Sequence, residues 1–216
     1  VPDILYADQN FIILNKPAGL PVHQGPGKGR SVEDMFPLLS RRRTGPWLVH
    51  RLDADTAGCL VIALRRAALL AAQAEFAAHR AEKTYWAIVA GHPGAEAGTI
   101  DAPLTKLSTQ AGWRMAIDPS GQEAVTDWRL LGHAQGESWL ELRPRTGRTH
   151  QLRAHCLWLG CPILGDPIYA TAAGGLQLLA RSIALRLDPP LSARAPPPVH
   201  MRRALDRIGG KQAVLF

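Results

Sequence analysis

The chain has 216 residues, 46% hydrophobic and 20% charged, with 25 Lys and Arg against 18 Asp and Glu for a net charge of +7. That length suits one large domain or two packed lobes, and ordinary globular usage excludes a disordered, fibrous or coiled-coil chain. No apolar run approaches the roughly 20 residues needed to cross a bilayer, and Val1-Pro2-Asp3-Ile4 does not open a basic-then-apolar leader.

In chain order, Phe11-Ile12-Ile13-Leu14 predicts a short strand, ended by the turn residues of Asn15-Lys16-Pro17-Ala18-Gly19. From Gln24 to Arg43 the chain makes a basic, Gly-rich surface excursion with one short helix at Val32–Leu39. Leu60-Val61-Ile62-Ala63-Leu64 follows Gly58 and predicts a buried strand. Arg65 to Ala81 holds no Gly or Pro and predicts a helix, with Leu69, Gln73, Phe76 and Arg80 at helical spacing. Tyr85 to Val89 predicts a strand, and Trp139 to Arg143 alternates as a half-buried one. Thr149 is placed to cap a helix over His150–Leu159 that ends at Gly160. Asp188 to Pro198, with five prolines, predicts an irregular surface connection. Strands and helices mix without a β-α rhythm, which predicts the α+β class.

The positive charge suits a polyanion, nucleic acid before an anionic membrane surface. Cys59, Cys156 and Cys161 are odd in number, unsuited to a disulfide framework, and fit a reducing, cytoplasmic compartment. His50-Arg51-Leu52-Asp53-Ala54-Asp55-Thr56 is the densest polar cluster. If extended, it puts Arg51, Asp53 and Asp55 on one side and Leu52 on the other. A plain loop salt bridge, with Thr56 closing a turn, explains those residues equally well. A second cluster, Arg145 to His155, gathers three more Arg and two His at a helix start suited to phosphate. Its bland alternative is a solvated basic helix edge, and His155 reads as a satisfied core histidine. The spacing of His150, His155, Cys156 and Cys161 matches no common zinc site, and Gly25 to Ser31 lacks phosphate-loop spacing. Most of the six tryptophans are expected in the core or sheet, with one or two available to stack bases.

Four blocks, in order, resemble one family. His50-Arg51-Leu52-Asp53-x-x-Thr56-x-Gly58 is similar to the HRLDxxTSG signature of RluA-type RNA pseudouridine synthases. Leu14 to Leu20 with Val22-His23 is similar to NKPxGLxVH, and Lys83-Thr84-Tyr85-Trp86-Ala87 to KxYxA. Thr146 to His155 with Gly160 to Tyr169 resembles TGRTHQ[IL]RxH…GxPIxGDxxY. The resemblance implies a catalytic Asp53, an Arg51 that opens RNA and flips the target nucleotide, and a Tyr85 that stacks on the base. It implies that Leu152 lines the base pocket and that Arg153 pairs with the catalytic carboxylate. It further implies a single catalytic domain over 1–216, with a mixed, mainly antiparallel central sheet flanked by helices and loops around a basic cleft. The substrate would be structured RNA, ribosomal or transfer, isomerised without cofactor or metal by a monomer away from membranes. Ala57, Cys59 and Arg181 depart from the family's Ser, apolar residue and His. The family's extra N-terminal RNA-binding module is not expected here. Two rivals stand beside this reading: an RNA binder that keeps the fold without its chemistry, and a glycosidase pairing Asp53 with Asp55. The latter two lie close together for carboxylates that must flank a sugar bond.

Overall fold

The computed structural model describes residues 2–24, 29–41, 44–110, 112–171 and 174–209. Its first half holds β1 (Ile4–Ala7), β2 (Phe11–Lys16), a 3-10 turn (Glu33–Met35), α1 (Phe36–Leu39), β3 (Trp47–Leu48), β4 (Ala57–Ala63) and α2 (Arg66–Ala77). There follow β5 (Glu82–Ala90), β6 (Ala97–Asp101), β7 (Leu104–Thr109), β8 (Gly112–Ile117), β9 (Val125–Ala134) and β10 (Glu137–Pro144). The last are α3 (Gln151–Trp158), β11 (Leu178–Leu185), β12 (Leu191–Arg194) and α4 (Val199–Gly209). The class is α+β, with mixed, mainly antiparallel pairing. The chain divides into two compact units, residues 1–83 with 179–196 and residues 84–178 with 197–216.

In the first unit β4 is buried along its whole length, which is why its sequence is continuously apolar instead of alternating. Antiparallel β2 covers one edge, from Phe11 opposite Ala63 to Lys16 opposite Gly58. The other edge is shared: β3 pairs with Ile62 and Ala63, and parallel β11 with Ala57 and Gly58. Gly58 has φ +111°, and a Cβ there would overlap the Ala180 carbonyl of β11. Gly58→Ala is therefore expected to cost about 3 kcal/mol or more in urea unfolding. A loss under about 1 kcal/mol would mean that the two backbones can separate without penalty. The departures from the family pattern settle into this packing. Ala57 is buried, the Cys59 thiol lies 3.8 Å and 3.7 Å from the Arg181 and Ala193 carbonyls, and Arg181 donates to Ala195 O at 2.6 Å.

The basic excursion is anchored at its roots, where Val22, Ser31 and Val32 are buried and Ser31 N–H donates to Asp34 Oδ2 at 2.7 Å. Its residues 25–28, 42 and 43 lie outside the described residues. The predicted short helix is the 3-10 turn followed by α1. α2 stops at Ala77, and its inward face is Ala68, Ala72 and Glu75, with Leu69 and Phe76 half-buried. Gln73 is exposed on the outer face, and Arg80 is exposed beyond the helix end.

In the second unit β6, β9, β10 and β5 pair antiparallel, with Leu142 opposite Tyr85. Ala87, Val89, Leu140, Leu142, Leu152 and Ile163 form its main buried cluster. Amphipathic α4 turns Met201, Ala204 and Leu205 inward and packs on β9 and β10. β7 and β8 form a separate two-stranded hairpin. The proline-rich tail is not wholly irregular. β12 lies within it and pairs antiparallel with β11, because Pro189 and Pro190 precede the strand and take no ladder position.

Candidate active site

The His50–Thr56 segment is not extended. Thr56 N–H donates to Asp53 O at 3.1 Å, closing a turn that carries Asp53 and Asp55 half-buried, Arg51 exposed and Leu52 buried. Two donors from the Leu14–Leu20 block fasten this turn. Lys16 is fully buried, and its ammonium donates to the carbonyls of Pro17 (2.9 Å), Leu20 (2.9 Å) and Ala54 (2.7 Å). Gly19 N–H meets the same Ala54 carbonyl at 2.9 Å. Burial lowers the Lys16 pKa to about 8, against the opposing pull of the Asp55 and Asp53 carboxylates. The NKPAGL block thus acts as a cradle for the carboxylate turn, and Lys16 is a residue to which the sequence reading gave no role.

His50 starts the segment. Its Nε2 accepts the Val61 N–H of β4 at 3.1 Å, and its ring stacks on Phe76 of α2 at 5.2 Å. Burial, with Lys83 nearby adding positive charge, lowers its pKa to about 4 despite the Arg51 main chain. The unfolded chain takes up a proton near pH 6.5 that folded His50 refuses. Its share of stability is complete above that pH and is lost as pH falls towards 4. Relative to His50→Gln, which keeps an acceptor for Val61, the parent is expected to lose on the order of 1–2 kcal/mol by about pH 5 in urea unfolding. A difference independent of pH would remove His50 as the titrating group.

In the second unit the TGRTHQ loop is locked from inside. Gln151 Oε1 accepts from Thr146 Oγ1 (2.7 Å) and Arg148 N–H (2.9 Å), while Nε2 donates to Val125 O and Thr126 Oγ1, both at 3.0 Å. Thr149 does not cap α3. The residue before the helix is His150, in the left-handed region at φ +50°, with no side-chain cap. Arg153 is 3% exposed and forks onto fully buried Asp166, Nε to Oδ2 at 2.7 Å and Nη2 to Oδ1 at 2.8 Å. Asp166 Oδ1 also accepts the N–H groups of Ile168 (2.9 Å) and Tyr169 (3.1 Å). Burial alone would raise the Asp166 pKa, but these donors and the Arg153 charge bring it below the usual carboxylate value. His155 is the core histidine expected, bonded to Thr126 Oγ1 at 2.9 Å and Ala102 O at 3.0 Å.

Of the five residues singled out from the sequence, Arg51 and Asp53 share the first unit's turn. Tyr85 and Leu152 meet in the second unit's apolar cluster, and Arg153 follows Leu152 on α3. Asp166 was quoted in its motif but not recognised as the carboxylate that holds Arg153. No local signal marked it, because only the tertiary packing buries this acid beside the guanidinium. No group of three His, Cys, Asp or Glu that could hold a metal ion occurs among the described residues. No helix there is long and apolar enough to cross a membrane.

A family model described as RNA pseudouridylate synthase matches residues 10–158. An uncharacterised RNA pseudouridine synthase of Zymomonas mobilis is 40% identical over 204 residues, 90% of this chain and 93% of its own. Ribosomal large subunit pseudouridine synthase C of Vibrio cholerae is 34% identical, over 95% of this chain and 69% of its own. The structure of human RNA pseudouridylate synthase domain containing 4 superposes with a TM-score of 0.80 at 29% identity, over 94% of this chain and 92% of that one. The matched range takes in both the cradled HRLD turn and the locked TGRTHQ loop, and the chain belongs to the RNA pseudouridylate synthases, which are isomerases.

Proposed function

We propose that residues 1–216 form one catalytic domain in which Asp53 acts at C1′ of a uridine flipped out of structured RNA. The isomerisation breaks N1–C1′ and forms C5–C1′, while the hydrogen leaves C5 and N1 gains one. Atoms and electrons balance within the nucleotide, so the reaction requires no organic cofactor. Turning the base requires it to leave the stack. Exposed Arg51 would open the helix, Tyr85 would stack on the base and Leu152 would line its pocket. Arg153 takes the part its motif position gives it, aiming the catalytic carboxylate.

The observation that carries this reading is the half-buried Asp53 turn, whose backbone is held by the Lys16 ammonium independently of the carboxylate itself. Relatives named for the ribosomal large subunit make ribosomal RNA the first substrate to test, with transfer RNA beside it. Three free, buried cysteines suit a cytoplasmic setting, and we take the working form to be a monomer.

The test is pseudouridine mapping across total RNA after incubation with the parent protein and with Asp53→Asn. Sites formed only by the parent support the assignment and name the substrate. Equal sites with both proteins refute the role of Asp53. No sites with either, and RNA still bound, would leave an RNA binder in a synthase fold.

A further inference from the structure

We infer that Tyr169 is a positioning residue that couples the β7–β8 hairpin to Arg153, so that RNA seated on the hairpin sets the aim of the arginine. This rests on the role given to Arg153 above.

A two-stranded ribbon is marginal by itself, so its few attachments decide where it stands. The hairpin root is buried: Leu104 packs with Ala124, Ala154 and Tyr169, and Met115 and Ile117 pack against that group. Its outer part is not. Lys106, Leu107, Ser108, Trp113 and Arg114 are exposed, and Leu104 to Ile117 contains no carboxylate. Lys106 Nζ lies 4.8 Å from the Trp113 ring centroid, which gives the tip a cationic, aromatic surface of the kind that suits an RNA strand.

Two contacts tie the hairpin down, one from its tip to the residue before α3 and one from its root to Tyr169. Trp113 stacks on His150 at 4.9 Å with the planes 20° apart, and Met115 N–H donates to the Tyr169 hydroxyl at 2.8 Å. The same hydroxyl lies 3.1 Å from His150 Nδ1, a pair satisfied when the hydroxyl donates and Nδ1 accepts. Tyr169 then reaches Arg153 twice. Its backbone N–H bonds the Asp166 carboxylate at 3.1 Å, and its ring lies 5.2 Å from the Arg153 guanidinium. One residue thus holds the hairpin by its hydroxyl, and the arginine by its ring and main chain. A load on the hairpin is transmitted through well-packed groups with little room to yield.

The experiment is single-turnover tritium release from pooled [5-³H]uridine-labelled transcripts of large-subunit ribosomal RNA and transfer RNA, at saturating protein. RNA affinity is measured separately by filter binding. Trp113→Ala and Tyr169→Phe are each expected to slow release about tenfold, and the double variant also about tenfold, not a hundredfold. Tyr169→Phe should leave RNA affinity within about twofold of the parent. A merely structural hydroxyl would change the melting temperature without this non-additive loss of rate. Multiplying effects, an unchanged rate in Tyr169→Phe, or a Trp113→Ala defect confined to affinity would overturn the inference. If Tyr169→Phe proves unstable, His150→Phe breaks the link at Nδ1 and keeps an aromatic ring beneath Trp113. Failure of the underlying reading looks different: the parent releases no tritium, or Arg153→Lys reacts at the parent's rate.

Discussion

Asp53→Asn is expected to lower the rate of pseudouridine formation by at least about 10³-fold, as removal of a reacting group does in other enzymes. RNA affinity and melting temperature should be nearly unchanged. The substitution keeps shape and removes charge. The turn does not depend on that charge for its form, because Thr56 N–H closes it on the Asp53 main-chain carbonyl at 3.1 Å. The Lys16 ammonium also holds it by a hydrogen bond to the Ala54 main-chain carbonyl at 2.7 Å. Removing the Asp53 carboxylate takes away one of the two anions that oppose the effect of burial on Lys16, so its pKa should fall further below about 8. The check is tritium release from labelled RNA beside a thermal melt. A residual rate within about tenfold of the parent would move the chemistry away from Asp53.

Asp166→Asn carries the second large effect. The side chain would still accept the Ile168 N–H, but Arg153, 3% exposed, would lose the anion on which it forks. Removing one member of such a pair costs about 3–5 kcal/mol, far more than an exposed pair is worth. The acid side supplies an internal control. The folded pKa of Asp166 lies below its ordinary 3.8, so its contribution is complete above that value and disappears as pH falls beneath it. The gap between parent and variant should therefore be wide at neutral pH and close in strong acid, as read from urea midpoints. A gap that persists in acid would assign the loss to packing and not to charge. The rate on RNA should fall as well, because the guanidinium would lose the carboxylate fork that fixes its orientation.

Local signals carried part of this fold and tertiary pairing decided the rest. The strands at Phe11, Leu60, Tyr85 and Trp139, and the helix after Arg65, were legible because their apolar residues are dense and bounded by Gly, Pro or charge. Between Pro93 and Glu137 no element was assigned, although β6 to β9 lie there with the β7–β8 hairpin. Those strands break up their apolar residues with Thr, Gly, Asp, Lys and Arg, so no dense run marks them, although β7 pairs with β8 and β9 with β10 directly along the chain. β12 and α4 were hidden by prolines that stand before them and not inside them. Thr149 looked like a helix cap because hydroxyl residues usually are. In the fold Gln151 ties down the preceding loop and His150 turns through the left-handed region.

By itself the sequence determined the family and the α+β class, and it supplied the five residues of the proposed site. Ordered motif blocks and apolar runs are local properties of a chain. Only the tertiary structure decided that Lys16 cradles the Asp53 turn, that Asp166 holds Arg153 and that Tyr169 joins the hairpin to both. Each depends on a buried polar group finding a partner from another part of the chain. Burial makes an unmet charge or hydrogen bond costly, and spacing along the sequence does not say which group will meet it.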